Sequence, residues 1–321
     1  MNFRWVAEET PGARWRAQFE RSWPSYRAWF VKEGDGARPD LATCRHSLRA
    51  FMPELVPLWE GLVALSQDGA VAARMLSLYR PTPYLAGCSQ AVWIRGEPML
   101  VRNYDYHPAA CEGTFLLSAW HETRVLAASE CLWGALDGMN EHGLVAALSF
   151  GGSRAVGDGF GIPLILRYLL EFCRTVGEAA AVLRRVPSHM AYNVSLLDAV
   201  GDFAVASVAP GREATVRREA VAVNHQRPIE WSEYERLTQS AERERFLQER
   251  LRDEGLTREA FLALFLEPPL HTRHYDRGLG TLYTAVYQPR GLCAEYVWPG
   301  ARRSLSFAEF QEGGITVPLG P

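Results

Sequence analysis

The chain changes its hydrophobic rhythm near residue 88. Before it, apolar positions recur at helical spacing, and over residues 50–65 Phe51, Leu55, Leu58, Leu62 and Leu65 fall on one stripe. The first 80 or so residues are therefore expected to be mainly helical, although Pro53 and Pro57 disturb the start of that helix. A proline-rich stretch follows at residues 80–87, where Pro81 and Pro83 push their predecessors away from helix. From Ser89 onward the pattern is that of strands. Residues 90–94 and 98–102 flank Arg95-Gly96-Glu97 and predict a hairpin. Further short strands are expected over 114–120, 125–128, 132–136, 144–150, 194–198, 203–208, 220–223, 282–287 and 294–297. An apolar helix is expected over 162–175. Thr175 with Glu178 and Ser232 with Glu235 are capping-box patterns that open a helix to residue 185 and a long charged one to about residue 252; Thr257 opens a shorter helix. Residues 151–161 are Gly-rich and are expected to form a mobile loop.

The order is thus a helical leader, strands, two helices, strands, two helices, strands. Such alternation fits stacked sheets covered by helices. With 321 residues, 48% hydrophobic and 22% charged, the chain has ordinary globular composition and enough material for a sizeable core. The net charge of -3 and a pI near 6.3 give no electrostatic footprint for nucleic acid. No apolar run is long enough for a membrane span, and the N-terminus lacks the apolar core of a signal peptide, so retention in the cytoplasm is the expectation. The six cysteines (Cys44, Cys88, Cys111, Cys131, Cys173 and Cys293) form no C-x-x-C pair, which favours free thiols. By default each is a small buried hydrophobe.

Context sets Cys88 apart. Gly87-Cys88-Ser89 lies at the seam between leader and first strand, and Arg102 to Asp105 ends the hairpin's second strand. A hairpin returns that strand beside the first. Arg102 is then placed to favour a thiolate and Asp105 to hold an amine or a proton.

These motifs, taken together, resemble the penicillin acyltransferase-like and choloylglycine hydrolase families, the cysteine branch of the N-terminal-nucleophile hydrolases. The resemblance is carried by Gly87-Cys88-Ser89, by Arg102-Asn-Tyr-Asp105, and by Asp137-Gly-Met-Asn-Glu-His-Gly-Leu144. It continues through Asn193 to Asp198 with Gly201 and Pro210-Gly211, Val223-Asn224-His225, Ser240-Ala-Glu-Arg243, and Gly280-Thr281 to Pro289. The long leader favours the penicillin acyltransferase-like group. The resemblance implies an α+β, four-layer αββα sandwich with a helical N-terminal leader. Residues 1–87 would be the leader and 88–321 the catalytic domain, freed by self-cleavage at Gly87-Cys88. It implies acyl transfer or linear-amide hydrolysis through an acyl-enzyme on Cys88. Arg102 and Asp105 match the charged pair, Asn224 the oxyanion-hole asparagine and Arg243 the late active-site arginine, with Arg245 a competitor. The chain departs from the family at Val223, at Ser89 and at Ser149. A small-molecule amide or thioester is the expected substrate, with no cofactor, metal, nucleic acid or membrane; a homo-oligomer is compatible with the sequence.

The chemistry suits these residue types. A cysteine at a new N-terminus owns both a thiol of pKa about 8.5 and an amine of pKa about 7.7 to 8.0, so the amine takes the thiol proton and no histidine is required. Two other functions compete: a Cys–His hydrolase using His225 without cleavage, and a catalytically inactive relative that binds acylated ligands. Trp93, Tyr104, Tyr106, Trp120, Trp133 and Phe150 are candidates for an acyl pocket, with sheet core as the alternative for each. His271 and His274 lack the partners of a metal site. Gly157 to Gly161 lacks the βαβ frame of a dinucleotide fingerprint, and the Asn193 sequon falls in an expected strand.

Overall fold

Asn2 to Glu8 alternate two large apolar side chains, Phe3 and Trp5, with polar neighbours, and the computed structural model, which describes residues 1–319, shows them as strand β1 (Asn2–Glu8). Four helices follow: α1 (Ala13–Phe30), α2 (Leu41–Phe51), α3 (Val56–Ser66) and α4 (Gly69–Leu76). Asp40 caps α2 by accepting from Thr43 N at 2.7 Å. Then come six strands: β2 (Gly87–Trp93), β3 (Met99–Tyr106), β4 (Thr114–Ser118), β5 (Val125–Glu130), β6 (Gly134–Asn140) and β7 (Val145–Phe150). Two helices, α5 (Ile162–Phe172) and α6 (Val176–Arg185), precede β8 (Tyr192–Leu197), β9 (Phe203–Ala209), β10 (Arg212–Arg217) and β11 (Val221–Ala222). Helices α7 (Ser232–Thr238), α8 (Ser240–Arg252) and α9 (Arg258–Leu264) lead to β12 (Arg273–His274), β13 (Leu279–Gln288), β14 (Cys293–Trp298), β15 (Ala301–Ser306) and β16 (Gly313–Thr316).

The strands make two sheets. One runs β10-β9-β8-β7-β6-β5-β4-β1-β16, and the other runs β11-β2-β3-β13-β14-β15 with β12 beside β13. Among the described strands, only the β1–β4 pair is parallel. The sheets pack face to face: the Phe115 ring of β4 stacks on Tyr296 of β14 at 3.6 Å, and Gln90 of β2 donates to Ser149 of β7 at 3.3 Å. Helix α5 covers the outer face of the nine-stranded sheet. Its Leu170 sits so close to Gly138 that a Cβ there would meet the Leu170 side chain at 2.8 Å. Helices α8 and α9 cover the other outer face, where Leu247 and Phe261 close a second core over Ala91, Trp93, Met99 and Val101. The chain is a four-layer αββα sandwich. Both faces of the central strands are covered, so β2 is buried at every position despite its Ser and Gln.

The leader is mainly helical as expected, with one strand the pattern did not give: β1, inserted between β4 and β16. Two expectations change. The long charged helix is two helices, broken where Gln239 adopts φ 52°. The capping box foreseen at Ser232 is not formed, since Ser232 is the first helical residue and Glu235 accepts from Ala241 N instead. At Thr175 the hydroxyl does cap Glu178 N, at 3.2 Å. Residues 151–161 carry isolated bridges from Val156 to Met190 and Phe160 to Ser188, with Phe160 buried. Among the described residues, no helix is long and apolar enough to cross a membrane.

Phe3 ties the leader to both sheets, touching Phe115 of one and Trp298 of the other, with ring centroids at 5.8 and 4.9 Å. Phe3→Ala should lower the unfolding free energy by about 3–5 kcal/mol, the usual loss for a fully buried aromatic. Guanidinium denaturation measures it; a loss below about 1 kcal/mol would mean that β1 is only loosely docked.

Candidate active site

Side chains alternate across a strand, and the register of β2 with β3 therefore sorts the site onto two faces. Cys88 pairs with Tyr104 and Gln90 with Arg102, all four facing the other sheet; Gly87 pairs with Asp105 and Ser89 with Asn103, facing α8 and the loop after α9. Arg102 and Asp105 lie three residues apart, so they reach the start of β2 from opposite sides of the sheet.

On the inner face the Arg102 guanidinium is fully buried and fully engaged. Its Nε donates to Leu148 O at 3.0 Å, one terminal nitrogen makes an ion pair with Asp137 of β6, and the other donates to Cys88 Sγ at 3.2 Å. Tyr283 donates to Asp137 at 2.8 Å, and Tyr287 also donates to it. Burial pushes the Cys88 thiol up to about 11. The Arg102 charge pulls against that rise, and the Asp105 carboxylate adds to it. In this intact chain the thiol is neutral at pH 7.

On the outer face Asp105 accepts from Arg243 of α8 at 2.7 Å and from Thr281 of β13 at 2.6 Å. Arg243 also donates to Ser89 at 3.3 Å. Arg245, one turn face away, is exposed. Residue 87 has to be small, because a Cβ there would meet Asp105 Cβ at 2.9 Å. Glycine lets the carboxylate approach the Gly87-Cys88 bond.

Asn224 closes the third side. Strand β11 pairs Ala222 with Gln90, and the same antiparallel register carries Asn224 alongside Cys88. Its side-chain Oδ1 accepts from the backbone N–H of Cys88 at 2.7 Å. Its Nδ2 donates to Ala86 O at 3.2 Å and Phe150 O at 3.4 Å, and the Tyr234 hydroxyl also donates to Ala86 O, at 3.0 Å. In the intact chain, then, this asparagine holds the Gly87-Cys88 amide nitrogen and the carbonyl one residue earlier. Asn193 of β8 steadies it by donating to Val223 O at 3.0 Å and His225 O at 2.8 Å, on either side.

All five candidate residues, Cys88, Arg102, Asp105, Asn224 and Arg243, therefore meet around one peptide bond. Other candidates do not join them. His225 directs its ring to Ser240 at 2.9 Å and Glu244 at 3.3 Å, so both nitrogens have partners other than the thiol. Among the described residues no cluster of three or more His, Cys, Asp or Glu side chains could hold a metal, and His274 is exposed. Of the six aromatics, Tyr104 and Tyr106 line one cavity, Trp120 lies under Arg167 and lines a separate hollow beside Trp15, and Trp93, Trp133 and Phe150 are core. Asp137, Thr281, Asn193 and Tyr283 receive no role from the sequence, although all four lie within the segments that carry the resemblance.

Comparison with known proteins places this site in context. The family model described as acyl-coenzyme A:6-aminopenicillanic acid acyl-transferase matches residues 93–303, about two thirds of the chain, beginning just after Cys88. No curated protein sequence matches. Several solved structures are similar at low identity. Penicillin V acylase from Agrobacterium tumefaciens is 16% identical, with a TM-score of 0.49 over 71% of this chain and 90% of that one. The N-acylethanolamine-hydrolyzing acid amidase ortholog of Caenorhabditis elegans is 14% identical, with a TM-score of 0.44 over 64% and 93%. A mutant of the conjugated bile acid hydrolase from Clostridium perfringens is 12% identical, with a TM-score of 0.42 over 72% and 97%.

The Arg102–Asp137 pair is fully buried, so removing one partner leaves the other charge uncompensated. Arg102→Met should cost about 3–5 kcal/mol. Asp137→Asn in the same chain should return at least about 1 kcal/mol of that loss, a coupling read from a double-mutant cycle by denaturation. Additive losses would mean that the two side chains do not depend on each other.

Proposed function

The chain belongs to the acyl-coenzyme A:6-aminopenicillanic acid acyl-transferase family, and on that premise we propose that it is a cysteine-dependent acyltransferase or linear-amide hydrolase whose nucleophile, Cys88, is freed by self-cleavage at Gly87-Cys88. The observation that carries the reading is the double grip on Cys88: its sulfur is held by Arg102 at 3.2 Å while its own backbone nitrogen is held by Asn224 at 2.7 Å.

Self-cleavage proceeds in two balanced steps. The Cys88 sulfur attacks the Gly87 carbonyl carbon, the C–S bond forms, the C–N bond breaks, and the thiol proton passes to the departing nitrogen. Water then hydrolyses the thioester, leaving a Gly87 carboxylate, the Cys88 thiol and a free α-amine. Asp105, packed against Gly87, and Asn224, already on that nitrogen, are in place to hold the ammonium form. Arg243 and Thr281 fix the Asp105 carboxylate from behind.

In turnover the α-amine takes the thiol proton and the thiolate attacks the substrate carbonyl. Departure of the chain before Cys88 releases Asn224 Nδ2 from Ala86 O, and that N–H becomes the donor to the oxyanion. The resulting ammonium protonates the leaving group. Water or an acceptor amine then attacks the acyl-enzyme carbonyl, the C–S bond breaks, and the thiol is restored. Arg102 favours the thiolate throughout, against the burial that raises its pKa.

Intact mass spectrometry tests the proposal. Two fragments are expected, the larger beginning at Cys88, with a single full-length mass from Cys88→Ala. Incubation with an activated acyl ester should add one acyl group to the Cys88 fragment. Asn224→Ala should lower kcat by about 100- to 1000-fold, the usual effect of losing one oxyanion donor. Asp105→Asn should slow cleavage and turnover together. A single full-length mass in a chain that still turns over amides would overturn the cleavage step, and acylation that persists in Cys88→Ala would overturn the nucleophile.

A further inference from the structure

A cavity of about 310 Å³ adjoins the site, walled by Tyr26, Trp29 and Tyr84 of the leader and by Tyr104, Tyr106 and Glu130 of the catalytic part. Tyr104 connects the two places. It pairs with Cys88 across the ladder, and its ring carries the Arg102 guanidinium at 4.7 Å.

The floor holds two glutamates, Glu130 buried and Glu112 half-buried. Glu112 and Glu130 each place a carboxyl oxygen 2.6 Å from the Tyr26 hydroxyl, which also accepts from Cys131 N at 2.9 Å. A hydroxyl has one proton and two acceptor positions. Cys131 N–H fills one acceptor position, so the hydroxyl donates to one glutamate and accepts from the other, which is therefore protonated. At least one of the two carboxyls is therefore protonated, and a bound cation would favour the ionised form of the other. Burial first, then the charge of Glu112, pushes the Glu130 carboxyl well above its ordinary value; burial also raises Glu112. Neither glutamate has a salt-bridge partner among the described residues. Of the nearby cations, Arg21 at the rim donates to Gln18 at 2.6 Å, and Arg4, whose charge pulls Glu112 down, is likewise bonded to Gln18 at 2.6 Å.

Three oxygens in the cavity wall are buried without a hydrogen-bond partner among the described residues: Tyr84 Oη, Tyr104 Oη and Glu130 Oε2. Tyr104 is fully buried and Glu130 is 5% exposed. Buried acceptors left unmatched are costly. A primary ammonium group offers three donors and one positive charge, and the surrounding aromatic faces attract cations.

We infer that this cavity is the subsite for a primary ammonium group carried by the substrate, so that the substrate class is a small amide with an alkylammonium arm. The inference rests on the acyl-enzyme reading of Cys88. It also gives the leader a lasting part in specificity, because Tyr26, Trp29 and Tyr84 form one wall.

Two experiments test it. Calorimetry on the Cys88→Ala chain, which needs no turnover, should show binding of butylammonium and none of 1-butanol, with Glu130→Gln weakening the ammonium at least tenfold. Two pairs of isosteric substrates then locate the arm. β-Alanyl and butyryl 7-amido-4-methylcoumarin differ in the acyl group; N-butyryl-1,4-diaminobutane and N-butyryl-pentylamine differ in the leaving amine. In one pair the ammonium member should be favoured at least tenfold in kcat/KM, and Glu130→Gln should cut that preference at least tenfold. Tyr104→Phe, which removes only an oxygen, should cut it severalfold with an unchanged Tm and guards against a folding failure of the first variant. Equal binding of butylammonium and butanol, or a preference that survives both variants, would overturn the subsite. Ammonium binding with no acylation of Cys88 by any of the four substrates would instead overturn the acyl-enzyme reading and leave the subsite standing.

Discussion

A guanidinium with no access to water sits between two β-sheets, and the rest of the site is arranged to satisfy it. Arg102 rises from the seven-stranded sheet and spends its donors on Leu148 O, Asp137 and the Cys88 sulfur, two of them in the opposite sheet. An unpaired charge at that depth would cost several kcal/mol, so Asp137 has to be held opposite it, which Tyr283 and Tyr287 do by donating to it. Tyr287 in turn meets Tyr296 at 2.9 Å, and Tyr296 stacks on Phe115. One polar chain thus crosses an otherwise apolar interface and fixes how the sheets register. The Cys88 thiol sits on the side of Arg102 away from Asp137, held by the other terminal nitrogen. Because Asp137 already answers the arginine's charge, Arg102 only tempers the effect of burial, and the Cys88 thiol stays near 11. On the proposed reading the missing positive charge arrives with the α-ammonium that cleavage creates, a few bonds from the sulfur.

The second constraint is a contact that only glycine permits. With Asp105 Cβ lying 2.9 Å from where a Cβ on residue 87 would be, the carboxylate is packed against the backbone it is proposed to serve. The thiol and the carboxylate occupy opposite faces of one sheet, with Asp105 packed against the residue just before Cys88. A side-chain base such as His225 would have to leave Ser240 and Glu244 and cross to the inner face.

Much of this was legible in the chain. The turn at Arg95-Gly96-Glu97 gives the hairpin, the hairpin gives the neighbourhood of Cys88, Arg102 and Asp105, and the Val-Asn-His segment gives Asn224. What could not be read was parity. A spacing of three residues places Arg102 and Asp105 on opposite faces, and only the observed register says which face holds the thiol. Strand β1 went unread because seven residues with two inward aromatics, Phe3 and Trp5, give too short an alternation to stand against the helical pattern behind them. The break at Gln239 is a backbone choice in a polar stretch without Gly or Pro, so composition gave no warning. The glutamate pair was invisible for a different reason: Glu112 and Glu130 meet only in the observed β4–β5 register, and Tyr26 reaches them from α1 by tertiary packing.

The leader is where these strands of reasoning join. It is bonded into the sheet through β1, with Phe3 buried against residues of both sheets, and Trp15 of α1 donates to Leu132 O at 3.0 Å. Cutting the chain at residue 87 removes none of these contacts. On the proposed reading, cleavage alters local chemistry, giving an amine where an amide was and freeing the Asn224 donor, while the architecture that shapes the cavity persists. A pro-segment that merely blocked a site would need to leave for activity to begin. On the same reading this segment supplies a cavity wall, so its departure would abolish the cavity, and activation works by changing one bond at a fixed place.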